Sequence, residues 1–360
     1  KTLKPLLPKY ISTVDSGNFV GYLYIVKSFL EENKSKEKNE IEILLNIVIS
    51  LINNTNFKFL YNEKTRLFSI GFSIDQNKLT DSYYDLLASE ARQASLVAIA
   101  KRDVSLKHWN NLSRTLTNLK EYKGLVSWSG TAFEYLMPNV NLKMIKGSLL
   151  DESSAFAVES QINYAKMLNI PWGISESAYN IKDLNNNYQY KAFGIPWLGL
   201  KRGLEDEVVV SPYSTFLSLE YKLNDGIKNL KEIENLGGIG KYGFYESIDF
   251  TINRMPIGKK YMIVKCFMAH HQGLILNSIN NVINNNKIGA ILSIENGKAI
   301  ENNLENIDYF YEKIRVNQEE SNEIEEWINQ VRIDLKKNII RKQNRDINNR
   351  EIYAYLHVRL

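Results

Sequence analysis

Apolar residues recur at helical spacing in segment after segment of this chain, and the blocks between them are rich in glycine, tryptophan and carboxylates. Phe19, Leu23, Val26 and Leu30 mark an amphipathic helix over 17–32, and 41–52 repeats the pattern. Both read as outer packing helices. Residues 57–72 read as two short strands about Asn62, Asp81-Ser-Tyr as a helix start, and 84–101 as one long helix. Helices are expected again at 151–168 and 213–223, the second entered through a short apolar strand or bend at 206–212. Glycines 237, 238 and 240 interrupt the chain, a hairpin-like stretch runs to Phe267, Met268 opens a helix, and 320–345 reads as a charged terminal helix. Helix packed on helix, with small β-hairpins between, is the fold class this order predicts.

A chain of 360 residues with 44% hydrophobic side chains can bury a large core, so disorder is excluded. The 45 basic and 41 acidic residues leave a net charge of only +4 and no basic cluster before residue 330, which argues against nucleic acid as a partner. The single Cys266 rules out an intrachain disulfide or a cysteine-based metal site, and reads as a buried small hydrophobe. No apolar run approaches the roughly 18 residues of a membrane span. The opening Lys1-Thr-Leu-Lys-Pro has neither an initiator Met nor a signal-peptide core, so the chain reads as a soluble piece of something longer.

Two blocks set carboxylates among glycines and aromatics: Trp128-Ser-Gly-Thr-Ala-Phe-Glu134-Tyr-Leu-Met-Pro138 and Pro171-Trp-Gly-Ile-Ser-Glu176-Ser-Ala-Tyr179. An aromatic face covers the apolar side of a pyranose, a carboxylate accepts paired hydroxyls or moves a proton, and glycine admits close backbone approach, so the blocks read as walls of a sugar pocket. Glu90, on the apolar face of the expected 84–101 helix, must be either functional or paired with a cation such as Arg92. Asp15, Glu90, Glu134, Glu176 and Glu246 all stand beside glycine, serine or aromatic residues, as expected where one acid is protonated and another ionised. No serine lies in a Gly-x-Ser-x-Gly elbow, and the adjacent His270 and His271 diverge on a helix and cannot share a metal. The glycines at 237–240 do not join a strand to a helix, so nucleotide binding is unsupported, and no metal or cofactor is implied.

Tyr10-Ile-Ser-Thr-Val-Asp15, Ser89-Glu90-Ala-Arg92, the two blocks above, Tyr188-Gln-Tyr190, Gly199-Leu-Lys-Arg-Gly203, Tyr242-Gly-Phe-Tyr-Glu246 and Met268-Ala-His-His-Gln-Gly273 together form an ordered set. From about Lys9 to about Val282 the chain resembles the glucoamylase-like cyclization region of cyclic β-1,2-glucan synthases, which is related to endo-β-1,2-glucanases. The resemblance implies an all-α fold, an (α/α)6 toroid spanning 1–360 as a single domain, with 294–360 a divergent helical tail. It also implies a place between glycosyltransferase and phosphorylase-like regions of one parent chain, on the cytoplasmic face of a bacterial inner membrane. The activity implied is anomer-retaining transglycosylation of β-1,2-glucan through a carboxylate pair; hydrolysis of the same glucan, non-catalytic glucan binding and a structural spacer are the alternatives.

Carried over by position, Glu90 and Glu176 form the carboxylate pair. Desolvation on an apolar helix face would raise the pKa of Glu90, as a proton donor needs, and a polar Ser-Glu-Ser turn would keep Glu176 ionised. Asp15, Glu134 and Glu246 are then expected on glucose hydroxyls, and Trp128, Trp172, Tyr179, Tyr245 and His270 around the subsites. Each of those aromatics would serve equally as core packing in a helical fold.

Overall fold

The computed structural model describes residues 7–284 apart from 35–37, 120, 121, 143 and 145; the expected helix at 320–345 and the tail at 294–360 lie outside the described residues. Among the described residues there are nine α-helices: α1 (Thr13–Asn33), α2 (Lys38–Asn54), α3 (Arg92–Ala100), α4 (Lys107–Asn111), α5 (Ala132–Asn141), α6 (Leu149–Leu168), α7 (Pro212–Leu217), α8 (Leu223–Asn235) and α9 (Ala269–Ile283). The strands between them form six sheets of two or three antiparallel strands. The fold is thus helical with small sheets, which serve as braces for the loops between helices.

Helix α1 starts at an N-cap serine, Ser12, whose hydroxyl accepts from the Asp15 amide. It packs on α2 on one side and α3 on the other. Its buried face carries glycines where α3 crosses it. A β-carbon added at Gly17 would overlap both Cβ and Cα of Ala94, and one added at Gly21 would press on the Gln93 side chain. The Gly17→Ala variant should lose about 1–3 kcal/mol of stability, read by chemical denaturation, because the obstructing atoms include backbone that cannot rotate away. Full wild-type stability would show that α1 and α3 have room to separate.

Further along, α5 packs against α6, α7 and α9, and α7 against α8 and α9. Helix α5 is buried along its whole length, and carries a capping box in which Thr131 and Glu134 satisfy each other's backbone amides. The Asn281 side chain on α9 donates to the Val140 carbonyl of α5, and Asn141 at the end of α5 donates to Gln93 of α3, so three helices meet at one level.

Two helical expectations change. The long helix at 84–101 is only α3, because Tyr83–Tyr84 pairs with Phe68 and Ser69 as a strand. Leu87 and Asp85 exchange backbone hydrogen bonds with Ser113, and the Ser89 hydroxyl accepts from the Ala91 amide. These partners take the amides and carbonyls that a helix would need. The helix expected at 213–223 is α7, which stops at Leu217, and a second helix, α8, begins where it was expected to end.

Cys266 follows the strand Met262–Val264 and is half-buried rather than buried. The stretch Asn39–Leu60, with mean hydropathy 1.3 and 28% of its most apolar window buried, is long and apolar enough to cross a membrane by length and composition alone. Within α2, Ile43, Leu44, Ile47 and Leu51 are exposed, so that among the described residues one face of the helix lies on α1 and these side chains lie off it.

Candidate active site

Every candidate carboxylate sits within two residues of the start of a helix or strand or in its first turn. Glu90 lies in the Ser89–Ala91 turn that enters α3, Glu134 in the first turn of α5, Glu176 immediately before the strand Ser177–Lys182, and Glu246 immediately before the strand Ser247–Asp249. Asp15 is on the first turn of α1. Junctions of this kind hold a side chain by the backbone of a regular element while its tip faces a loop-lined space.

Glu90 is half-buried, and does not lie on the apolar face of a helix as expected. The Ser89 hydroxyl donates to its Oε2 at 3.3 Å. Arg92, the neighbour that might have paired with it, spends its guanidinium on the carbonyls of Ser89, Glu134 and Tyr135 and on Asn139 Oδ1 at 2.5–3.1 Å, tying the start of α3 to α5. Burial, with the charges of Glu134 and Glu176 adding to it, pushes Glu90 up to about 8. The shift favours the protonated form, from which a carboxyl can donate a proton.

Glu176 is also half-buried, and the Tyr190 hydroxyl donates to its Oε1 at 2.7 Å. Antiparallel register delivers that contact, since Ala178 is opposite Tyr190 and Ser177 opposite Lys191. The Glu176 carbonyl accepts from the Tyr213 hydroxyl of α7, and the Ser175 hydroxyl meets the same tyrosine at 2.8 Å. The expected polar turn does not leave Glu176 in the ordinary carboxylate range. Burial raises it; Tyr190 opposes that rise, the charge of Glu134 adds to it, and more weakly His271 opposes and Asp15 adds. Tyr84 is raised by burial and then by the charges of Glu90, Asp15 and Glu176 among others, which places it among these acids.

Glu134 is buried at 6% exposure, and its carboxylate works inside its own loop. Its Oε2 accepts from the Ser127 hydroxyl and the Thr131 amide, and both oxygens accept from the Ser129 amide. Gly194 closes the same loop, since a β-carbon there would strike the Ser129 carbonyl. Trp128 stands at the crest of this loop and is 60% exposed, leaving a ring face free to stack.

The remaining expected residues divide. Trp172 is buried, its amide and carbonyl both engaged by the Asn229 side chain, so it belongs to the core. Tyr179 carries the Arg254 guanidinium over its ring at 4.8 Å and meets Phe193 edge-on; that arginine is paired with Asp249 and Glu207. Tyr245 is half-buried against Phe267. Glu246 is buried, with Oε1 accepting from the Ala178 amide and 2.8 Å from His271 Nδ1, and Oε2 without a partner. His270 is exposed, its ring edge-on to Phe133.

The family model "Glycoamylase: Putative glucoamylase" matches residues 82–291, which carry Glu90, Glu134, Glu176, Glu246 and both histidines of the pair. The chain belongs to this glucoamylase family. Over 233 residues, 65% of the chain, it is 42% identical to the cyclic β-(1,2)-glucan synthase NdvB of Rhizobium meliloti strain 1021, and spans 8% of that relative's length. Among solved structures it is similar to an endo-β-1,2-glucanase from Chitinophaga pinensis in complex with sophorotriose and glucose (TM-score 0.58, 16% identity, 81% of this chain, 70% of that one). It is also similar to an endo-β-1,2-glucanase from Talaromyces funiculosus with β-1,2-glucan (TM-score 0.64, 14% identity, 86% of this chain, 64% of that one). At these identities the likeness is one of fold.

Sequence reasoning within this glucoamylase-family domain missed His271, Tyr190 and Tyr213. His271 is 1% exposed and its ring stacks on Tyr213 at 3.7 Å between centroids and 18° between planes, whereas the histidine singled out was its neighbour. A usable signal existed for Tyr190: the run Tyr188-Gln-Tyr190 stands in the ordered set of motifs shortly after Glu176, and it forms the strand that pairs with the one following Glu176.

Proposed function

We propose that this domain acts on β-1,2-glucan as an anomer-retaining transglycosylase, with Glu90 as acid/base and Glu176 as nucleophile. The observation that carries the reading is the pairing of a half-buried acid whose pKa is about 8 with a second carboxylate close enough to raise it, the two on separate elements. The identity to a cyclic β-(1,2)-glucan synthase and the fold of β-1,2-glucan-bound glucanases support the substrate class. An oxygen of Glu176 attacks the anomeric carbon as the glycosidic C–O bond breaks, and Glu90 gives its proton to the leaving oxygen. A hydroxyl of the glucan's own non-reducing end then attacks the glycosyl ester, Glu90 takes that hydroxyl's proton, and Glu176 leaves as carboxylate, closing a ring.

In this reading Asp15, Trp128 and His270, all exposed, contact the sugar, while Trp172, Tyr179 and Tyr245 hold the pocket walls from behind. Glu134 contributes to the subsites chiefly by fixing the Trp128 loop. The helices are part of an (α/α)6 toroid, with α1, α3, α5, α7 and α9 inward and α2, α6 and α8 outward, a division supported by their packing partners. The domain works within a larger membrane synthase, beside its glycosyltransferase and phosphorylase-like regions on the cytoplasmic face.

Incubation with linear β-1,2-glucan and mass spectrometry tests this. Products lighter by one water than linear glucans of the same length are expected. Shorter linear products alone would assign the hydrolytic reading that the structural neighbours' names favour, and binding without change in chain length would overturn catalysis.

A further inference from the structure

We propose that His271, held in place by Glu246, backs the Tyr190 hydroxyl on Glu176, making Tyr190 and His271 positioning residues for that carboxylate. The inference rests on the reading of Glu176 as nucleophile. Tyr190 has a single hydroxyl hydrogen, and at 2.7 Å it goes to Glu176 Oε1. His271 Nε2 lies 3.5 Å from the same hydroxyl, and its Nδ1 lies 2.8 Å from Glu246 Oε1, an oxygen that also accepts from the Ala178 amide.

Two further observations fix the ring at this position. The imidazole lies flat on the Tyr213 ring, 3.7 Å between centroids. Glu246, its partner at Nδ1, is buried at 2% exposure. The row Glu246, His271, Tyr190, Glu176 then links the two carboxylates, and holds Glu176 by Oε1 with Oε2 left to react. The groups that face Glu176 from the other elements are Glu90, Glu134, Asp15, Tyr84 and Tyr213; of these, the three carboxylates disfavour its ionisation and the row opposes them.

The test uses Tyr190→Phe, His271→Gln and the double variant on the whole chain, with folding checked by circular dichroism. With linear β-1,2-glucan, Tyr190→Phe should lower kcat at least about tenfold with KM nearly unchanged, the scale of a misplaced reacting group. The acid limb of its pH profile should move to higher pH, because the lost donor favoured the ionised form. The double variant should be no worse than the poorer single one. A second readout needs no substrate: carbon NMR titration of the glutamate carboxyls should place Glu176 at least about half a unit higher in Tyr190→Phe. An unmoved Glu176 titration, or additive losses, overturns the row whether or not the glucan is a substrate. A wild-type chain inert to glucan, but with the Glu176 titration moved by Tyr190→Phe, overturns the glucan reading and leaves the row standing.

Discussion

Glu176→Gln is expected to remove at least about 10⁴-fold of kcat on β-1,2-glucan, the scale on which loss of a covalent nucleophile falls. The amide preserves volume and keeps an oxygen to accept from Tyr190, so the strand register and the fold should survive. What disappears is the negative oxygen that forms the glycosyl ester. Glu176→Ala leaves room at the same place, and azide supplied in solution should then enter from the side the carboxylate occupied and yield an α-glycosyl azide from the β-linked glucan. Residual turnover near wild type in both variants, or formation of that azide product only in a Glu90 variant, would reverse or remove the assignment.

The second large effect is at Glu90. Glu90→Gln should lower kcat about 10²–10⁴-fold, the usual contribution of a positioned general acid. Formation of the glycosyl ester should be largely spared with an aryl β-sophoroside whose leaving group needs no proton. In the wild-type domain kcat/KM should fall on the alkaline side as the group loses its proton near pH 8. The same shift has a sign for stability. The folded pKa is raised above the unfolded value, so the native state binds the proton more tightly. Stability is therefore full below the unfolded carboxylate pKa and declines as pH rises toward and through about 8. Glu90→Gln removes that decline. Its melting temperature at pH 9 should exceed the wild type's by at least about 2 °C, a gap that closes at pH 5. Equal melting at both pH values would mean that the carboxylate is solvated in the folded state.

Much of this architecture was legible where one face of a helix is apolar over several turns: α1, α2, α6 and α9 fall where the spacing predicted them. It failed where backbone partners lie far along the chain. Nothing local shows that Ser113 takes the hydrogen bonds of Asp85 and Leu87, and without that pairing the segment before α3 reads as more helix. Helix α8 escaped because its sequence, Leu223 to Asn235, is mostly polar and it buries only Gly226, Asn229 and Ile233. The acids Glu90 and Glu176 were visible through the glycine, serine and aromatic residues around them, but their company could not show that burial raises both. The choice between His270 and His271 was not legible, since adjacent positions on a helix differ by about 100° and only the packing of α9 on α7 decides which ring turns inward.

Glu134 closes the first turn of α5 and, as a neighbouring anion, also raises the proton affinity of Glu90. A folding device and the working pH of the acid are thereby set by the same side chain. A change that neutralises Glu134 to lower the titration of Glu90 keeps the helix start only if the new side chain, like Gln, still accepts from the Thr131 amide, so adaptation of this domain to pH has a narrow choice at that position.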